Sequence, residues 1–260
     1  MKTINILAIS LASISFLSGI EATAQTKRSK SSTARKAVAK VTTAPSQTNT
    51  STITQTQAIT GIKQALGNGL NNSINALSVK DGFLGNAAVK ILMPKEAQQI
   101  EKTLRSIGMG SLCDQFVTSL NRAAESAVKE AAPVFVNSLA QMTVNDAFNI
   151  LLGTQQDAAT SFFKRTTSAT LTSKFSPIVE SALGKNNVST YWTQLTSAYN
   201  NLPLANSKIN TDLNAYVTQK AIDGLFVQVA DEETKIRQNI SGSRNSNILN
   251  DVFGWVDKQK

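Results

Sequence analysis

Apolar residues recur every three or four positions from Ile59 through Ile62, Leu66, Leu70 and Ile74 to Leu77, and this spacing constrains the fold more than any other feature. It lays one apolar stripe along an α-helix, whereas a half-buried strand would alternate at every second residue. The stripe ends before Asp81-Gly82; Pro94 then opens a second helix carrying Ala97, Ile100, Leu104 and Ile107, closed by Gly108. Gly153 and Gly184 are expected to stop further helices. The same reading predicts helices near 111–131, 133–141, 144–152, 155–166, 169–183, 190–200, 212–239 and 246–255. Only Val89–Met93 resembles a strand, and one short strand has no partner. The expected fold is all-α: a single multi-helix domain of roughly eight to ten helices over residues 58–256.

Such a domain has to hold itself together by packing. Cys113 is the only cysteine, so no intramolecular disulfide, cysteine zinc cluster or CxxC redox pair can form. Histidine is absent, which removes every His-dependent triad and the commonest zinc ligand. No metal and no cofactor is expected. Cys113 reads as a small buried apolar residue, because Leu112, Asp114 and Phe116 beside it supply no base or cation to make a thiolate.

The chain starts with an address. Lys2 precedes a mostly apolar run from Ile4 to Ile20, followed by Ala22-Thr23-Ala24. A basic start, an apolar core and a small-x-small site predict a signal peptide over 1–24, cut after Ala24. No transmembrane segment is expected after the cut, and with no cysteine nearby a lipoprotein anchor is excluded. The expected location is the periplasm of a Gram-negative bacterium. Residues 25–57 read as a disordered basic linker rich in Ser, Thr and Gln, too poor in large apolar groups to fold. Lys27, Arg28, Lys30, Arg35, Lys36 and Lys40 give it +6 of the formal +9, with no acid. Its natural partner, if it has one, is an anionic envelope surface rather than nucleic acid, for which no binding motif exists.

Ordinary helix chemistry accounts for most of the acids. Ser111-x-x-Asp114, Thr143-x-x-Asp146 and Thr154-x-x-Asp157 have capping-box spacing, which explains three carboxylates that could otherwise be offered as catalytic. On the 111–131 helix, Asn121 and Glu125 fall just beyond the buried stripe, and Glu125 lies three residues from Arg122. A solvated surface ion pair explains it, and the rival reading is a polar flank of Asn121 and Glu125 facing a groove against another helix. Glu233 is different, because it sits inside the apolar stripe of Ile222, Leu225, Phe226, Val229, Ile236 and Ile240. A buried charge needs a partner, and Arg237 is four residues on. Asn121, Arg122, Glu125, Arg165, Glu233 and Arg237 are therefore the candidate polar pocket.

A set of motifs runs in order along the chain: Gly82-Phe83, Asn121-Arg122-Ala123-Ala124-Glu125, Asp146-Ala147, Asp157-Ala158-Ala159-Thr160, Asp223-Gly224-Leu225-Phe226, Ile236-Arg237 and Val252-Phe253-Gly254. Over about residues 58–254 it resembles the bacterial domain-of-unknown-function family numbered 4197. The chain departs at Ile240–Asn245, Ile-Ser-Gly-Ser-Arg-Asn, where relatives tend to have Pro-Ala-Ala-Arg. The resemblance implies an exported, mainly helical protein, and no reaction, ligand or catalytic residue. Two functions are compatible with these residues. One is a non-enzymatic envelope module that binds a ligand or partner. The other is a periplasmic hydrolase using carboxylates alone, with Glu125 and Glu233 as its acids.

Overall fold

The computed structural model describes residues 53–201 and 212–259, and every structural statement below concerns those residues. The stretch read as a signal peptide, and most of the stretch read as a basic linker, lie outside the described residues. Nine α-helices make up this part: α1 (Gln55–Leu77), α2 (Gln98–Ser106), α3 (Gly110–Val128), α4 (Ala131–Gln141), α5 (Val144–Leu152), α6 (Ala158–Lys185), α7 (Val188–Asn200), α8 (Leu213–Gln238) and α9 (Asn247–Asp257). Short 3₁₀ turns at Lys95–Ala97 and Ile240–Gly242 complete the regular structure, and no described residue is in a strand. The fold is all-α. No described helix is long and apolar enough to cross a membrane.

Helix α8 is the hub, packing against α6, α1 and α3. Its predicted stripe of Ile222, Leu225, Phe226, Val229 and Ile236 is buried, and Val217 and Ala221 extend it, but Ile240 lies beyond the helix end at Gln238 and is exposed. Phe135 of α4 meets Phe163 of α6 and Phe226 of α8 edge to face, with ring centroids 5.4 and 6.2 Å apart. Helices α2 and α7 pack on α3, while α1 also carries α4, α5 and α9. Cys113 is fully buried, and burial pushes its thiol above the usual range, which suits packing and not nucleophilic attack.

Helix α1 starts at Gln55, inside the stretch composition assigns to the linker, because Thr54 and Gln57 form a capping box. The predicted break between 155–166 and 169–183 does not occur, and α6 runs unbroken for 28 residues. The hydroxyls of Thr166, Thr167, Ser168 and Thr172 each donate to the carbonyl four residues back, so these polar side chains find partners without the chain leaving the helix. Nor does Gly184 stop α6; the helix ends at Lys185 and Asn187 turns the chain with φ 55°. Val89–Met93 is not a strand, and what pairs with its backbone is a side chain.

Candidate functional site

The loop between α1 and α2 is pinned to α3 by the residues the sequence places on a polar flank. Asn121 is fully buried. Its Oδ1 accepts from the Ile91 N–H at 2.9 Å, and its Nδ2 donates to the Ile91 carbonyl at 2.8 Å and the Val117 carbonyl at 2.7 Å. One amide thereby replaces the missing partner strand. One turn further on, Glu125 Oε1 accepts from the Phe83 N–H at 3.2 Å, and its Oε2 takes Arg122 Nη1 at 2.7 Å. Arg122 Nη2 continues to Asp81 Oδ1 at 2.6 Å. Glu125 is only 4% exposed, so the expectation of a solvated pair is corrected. The helix wheel misplaced it because a loop, not a helix, covers this flank.

Electrostatics fit this clamp. Burial works against the Arg122 charge, but the Asp81 and Glu125 carboxylates outweigh it and raise the guanidinium further above its ordinary value. Arg122 in turn holds the Asp81 carboxyl below the usual carboxylate range. Two glycines let the loop come close. A Cβ on Gly82 would stand 2.6 Å from the Ala76 and Leu77 carbonyl oxygens, and one on Gly224 of α8 would stand 2.7 Å from the Phe83 ring. Gly82-Phe83, the Asn121–Glu125 run and Asp223-Gly224 therefore meet at one place.

Glu233 and Arg237 make the second clamp, at the α5–α6 junction. Glu233 accepts from the Ala159 and Thr160 N–H groups at 2.9 and 2.8 Å and from the Thr160 hydroxyl at 2.8 Å. It is thus the N-terminal cap of α6, supplied from α8. Arg237 bonds Glu233 Oε1 at 2.7 Å and donates to the Ile150 carbonyl in the last turn of α5 at 2.8 Å. A carboxylate meets the positive end of one helix and a guanidinium the negative end of another. The pair is buried, as the apolar stripe around Glu233 predicts. This explains why Thr154 and Asp157 form no capping box: Asp157 precedes α6 without a side-chain cap bond, and Glu233 takes the free amides. Ser111 and Asp114 form none either, because α3 starts at Gly110 and Asp114 pairs with Arg105 at 2.6 Å. The Thr143–Asp146 box does form.

The six candidate residues do not converge on one pocket. Asn121, Arg122 and Glu125 hold the α1–α2 loop, and Glu233 and Arg237 hold the α5–α6 junction. Arg165 is exposed, 5.7 Å above the Phe162 ring, and lines a separate cavity of about 230 Å³ with Asn137, Gln141 and Asp146. Around Glu233 and Arg237 the free space is about 10 Å³, too little for a ligand. Arg244, at the departure from the family pattern, donates to the Ile236 carbonyl and pairs with Asp257, tying the end of α8 to α9.

Room for a ligand lies elsewhere. A cleft of about 730 Å³ opens between the start of α3 and the α6–α7 turn. Ser111, Asp114, Gln115 and Thr118 form one wall and Lys185, Asn186, Asn187 and Tyr191 the other, with Arg122 also in the lining. Asp114 is already paired with Arg105. The sequence signals this site only through Asn186-Asn187, a pair suited to a left-handed turn.

These features define a class: a single all-α domain whose buried polar residues join helices and a loop, with a polar surface cleft. The family described as Protein of unknown function (DUF4197) matches residues 52–254, and the chain belongs to it. No curated protein and no solved structure matches the chain.

Proposed function

We propose that this protein is exported to the bacterial envelope and works as a non-enzymatic binding module, taking a hydroxyl-rich ligand of the saccharide kind. The observation that carries this reading is the makeup of the α3/α6–α7 cleft. Its volume suits a small molecule, and hydroxyls, amides and one tyrosine ring dominate its lining. Its one acid is already neutralised by Arg105. Amides and hydroxyls can exchange hydrogen bonds with sugar hydroxyls, and an aromatic ring offers an apolar face with a polar edge. Glu125 and Glu233, the acids of the hydrolase alternative, are each bound to backbone N–H groups and a guanidinium. Export rests on the Lys2–Ala24 pattern alone.

Native mass spectrometry of the exported protein incubated with envelope saccharide fragments tests the reading. Intact fragments should be retained by the parent chain. They should be lost from a Gln115→Ala/Tyr191→Ala variant of unchanged melting temperature. Equal retention by both would move the ligand out of the cleft, and shortened fragments would establish a hydrolase instead.

A further inference from the structure

The α1–α2 loop has an outer side that neither clamp uses. Ile91 and Met93 are buried, while Leu92 between them is 57% exposed. Lys90 and Lys95 flank it in sequence, and Lys220 of α8 faces the same basin of about 350 Å³, with Tyr216, Glu96 and Gln98. None of these three lysines lies within 4 Å of a carboxylate among the described residues, and Glu96 is the only acid in the lining. The backbone carrying Leu92 is fixed on both sides. Asn121 holds Ile91 from within, and the Tyr216 hydroxyl donates to the Leu92 carbonyl at 2.9 Å. Pro94 follows, itself buried and fixed in φ by its ring.

An apolar side chain held out between cations gains nothing from a soluble anion. At a lipid surface, however, it enters the headgroup layer while the lysines meet the phosphates. We infer that Leu92, with Lys90, Lys95 and Lys220 around it, is a docking point for the phosphate headgroups of an anionic lipid surface. Because the loop is already ordered, little conformational freedom remains to be lost on contact. This contact belongs to the folded domain and is separate from any made by the basic segment over 25–57. It is also distinct from the α3/α6–α7 cleft, so either assignment can stand without the other.

Sedimentation of the full exported chain with vesicles tests it, using phosphatidylethanolamine with and without about one-third phosphatidylglycerol. Lysines near an anionic bilayer contribute roughly fivefold each to partitioning. Lys90→Gln/Lys95→Gln/Lys220→Gln should therefore weaken binding to the anionic vesicles at least tenfold, and Leu92→Ser roughly fivefold. All four side chains are exposed, and melting curves should confirm that the variants fold. Partitioning equal to that of the parent would overturn the inference by assigning attraction to the basic segment alone. Loss with the lysine variant but none with Leu92→Ser would overturn it too, leaving a soluble-anion site. Competition by inorganic phosphate at millimolar concentration, at constant ionic strength, would point to the same overturning result.

Discussion

Two glutamates that the helix wheel sets apart are both buried, and they differ in what depends on them. Glu233→Ala strips Arg237 of its only carboxylate among the described residues and α6 of its cap, and should cost about 3–5 kcal/mol. Glu125→Ala should cost less, about 2 kcal/mol, because Arg122 keeps Asp81 while the contacts from the Phe83 and Leu84 N–H groups, at 3.2 and 3.5 Å, are lost. Urea unfolding checks the ranking, and a Glu125→Ala cost under about 0.5 kcal/mol would restore the solvated pair. Asp146 adds a pH dependence. Its hydrogen bonds from the Thr143 hydroxyl and N–H hold its carboxyl below the usual value. A depressed carboxyl stabilises the fold above its unfolded pKa of about 3.9, and that contribution disappears as pH falls through the folded value. Asp146→Asn should therefore lower stability at neutral pH and flatten its loss below about pH 4, so that the melting temperatures of variant and parent converge in acid.

Helices were legible where one stripe decided them. The bounds of α5, and those of α9 to within two residues, follow from local spacing, whereas α1 starts ahead of its apolar stripe, at the Thr54 cap inside the stretch read as linker. Where partners lie far apart in sequence, the local reading goes wrong: α6 takes its cap from α8, and Asn121 closes on a loop thirty residues earlier. The cleft was almost illegible, since its walls are ordinary polar helix faces that only folding brings together. Cap and close-approach effects can be separated by substitution. Thr143→Ala removes a local capping box and should cost about 1 kcal/mol. Gly224→Ala gains up to about 1 kcal/mol of helix propensity but drives a methyl into Phe83 and Val89, an overpacking of about 1–3 kcal/mol. Net destabilisation, with loosened protection of the Phe83 and Ile91 amides in hydrogen exchange, is the expected result. A stabilised Gly224→Ala with the same protection would show that the loop has slack.

With α8 touching α1, α3 and α6, no helix group can open without exposing part of a shared core. The described domain should therefore unfold as one unit. Its two tryptophans give independent reports: Trp192 of α7 stacks on Phe116 at 5.3 Å, and Trp255 lies on α9. Tryptophan fluorescence and far-ultraviolet circular dichroism should give coincident transitions, and this should persist in single-tryptophan variants. An earlier transition reported by Trp255 would mark α9 as a separate unit. The cap that Glu233 provides also has a bearing on timing. Its bonds to Ala159 and Thr160 span 74 and 73 residues, so the chain must close a long loop before α6 acquires its first secured turn. Contacts of that kind form late, and their loss shows in escape from the native state rather than in arrival. In stopped-flow experiments Glu233→Ala should speed unfolding by orders of magnitude while refolding stays near the parent rate. The carboxylate that resembles a catalytic group would then act as a latch on the lifetime of the folded chain.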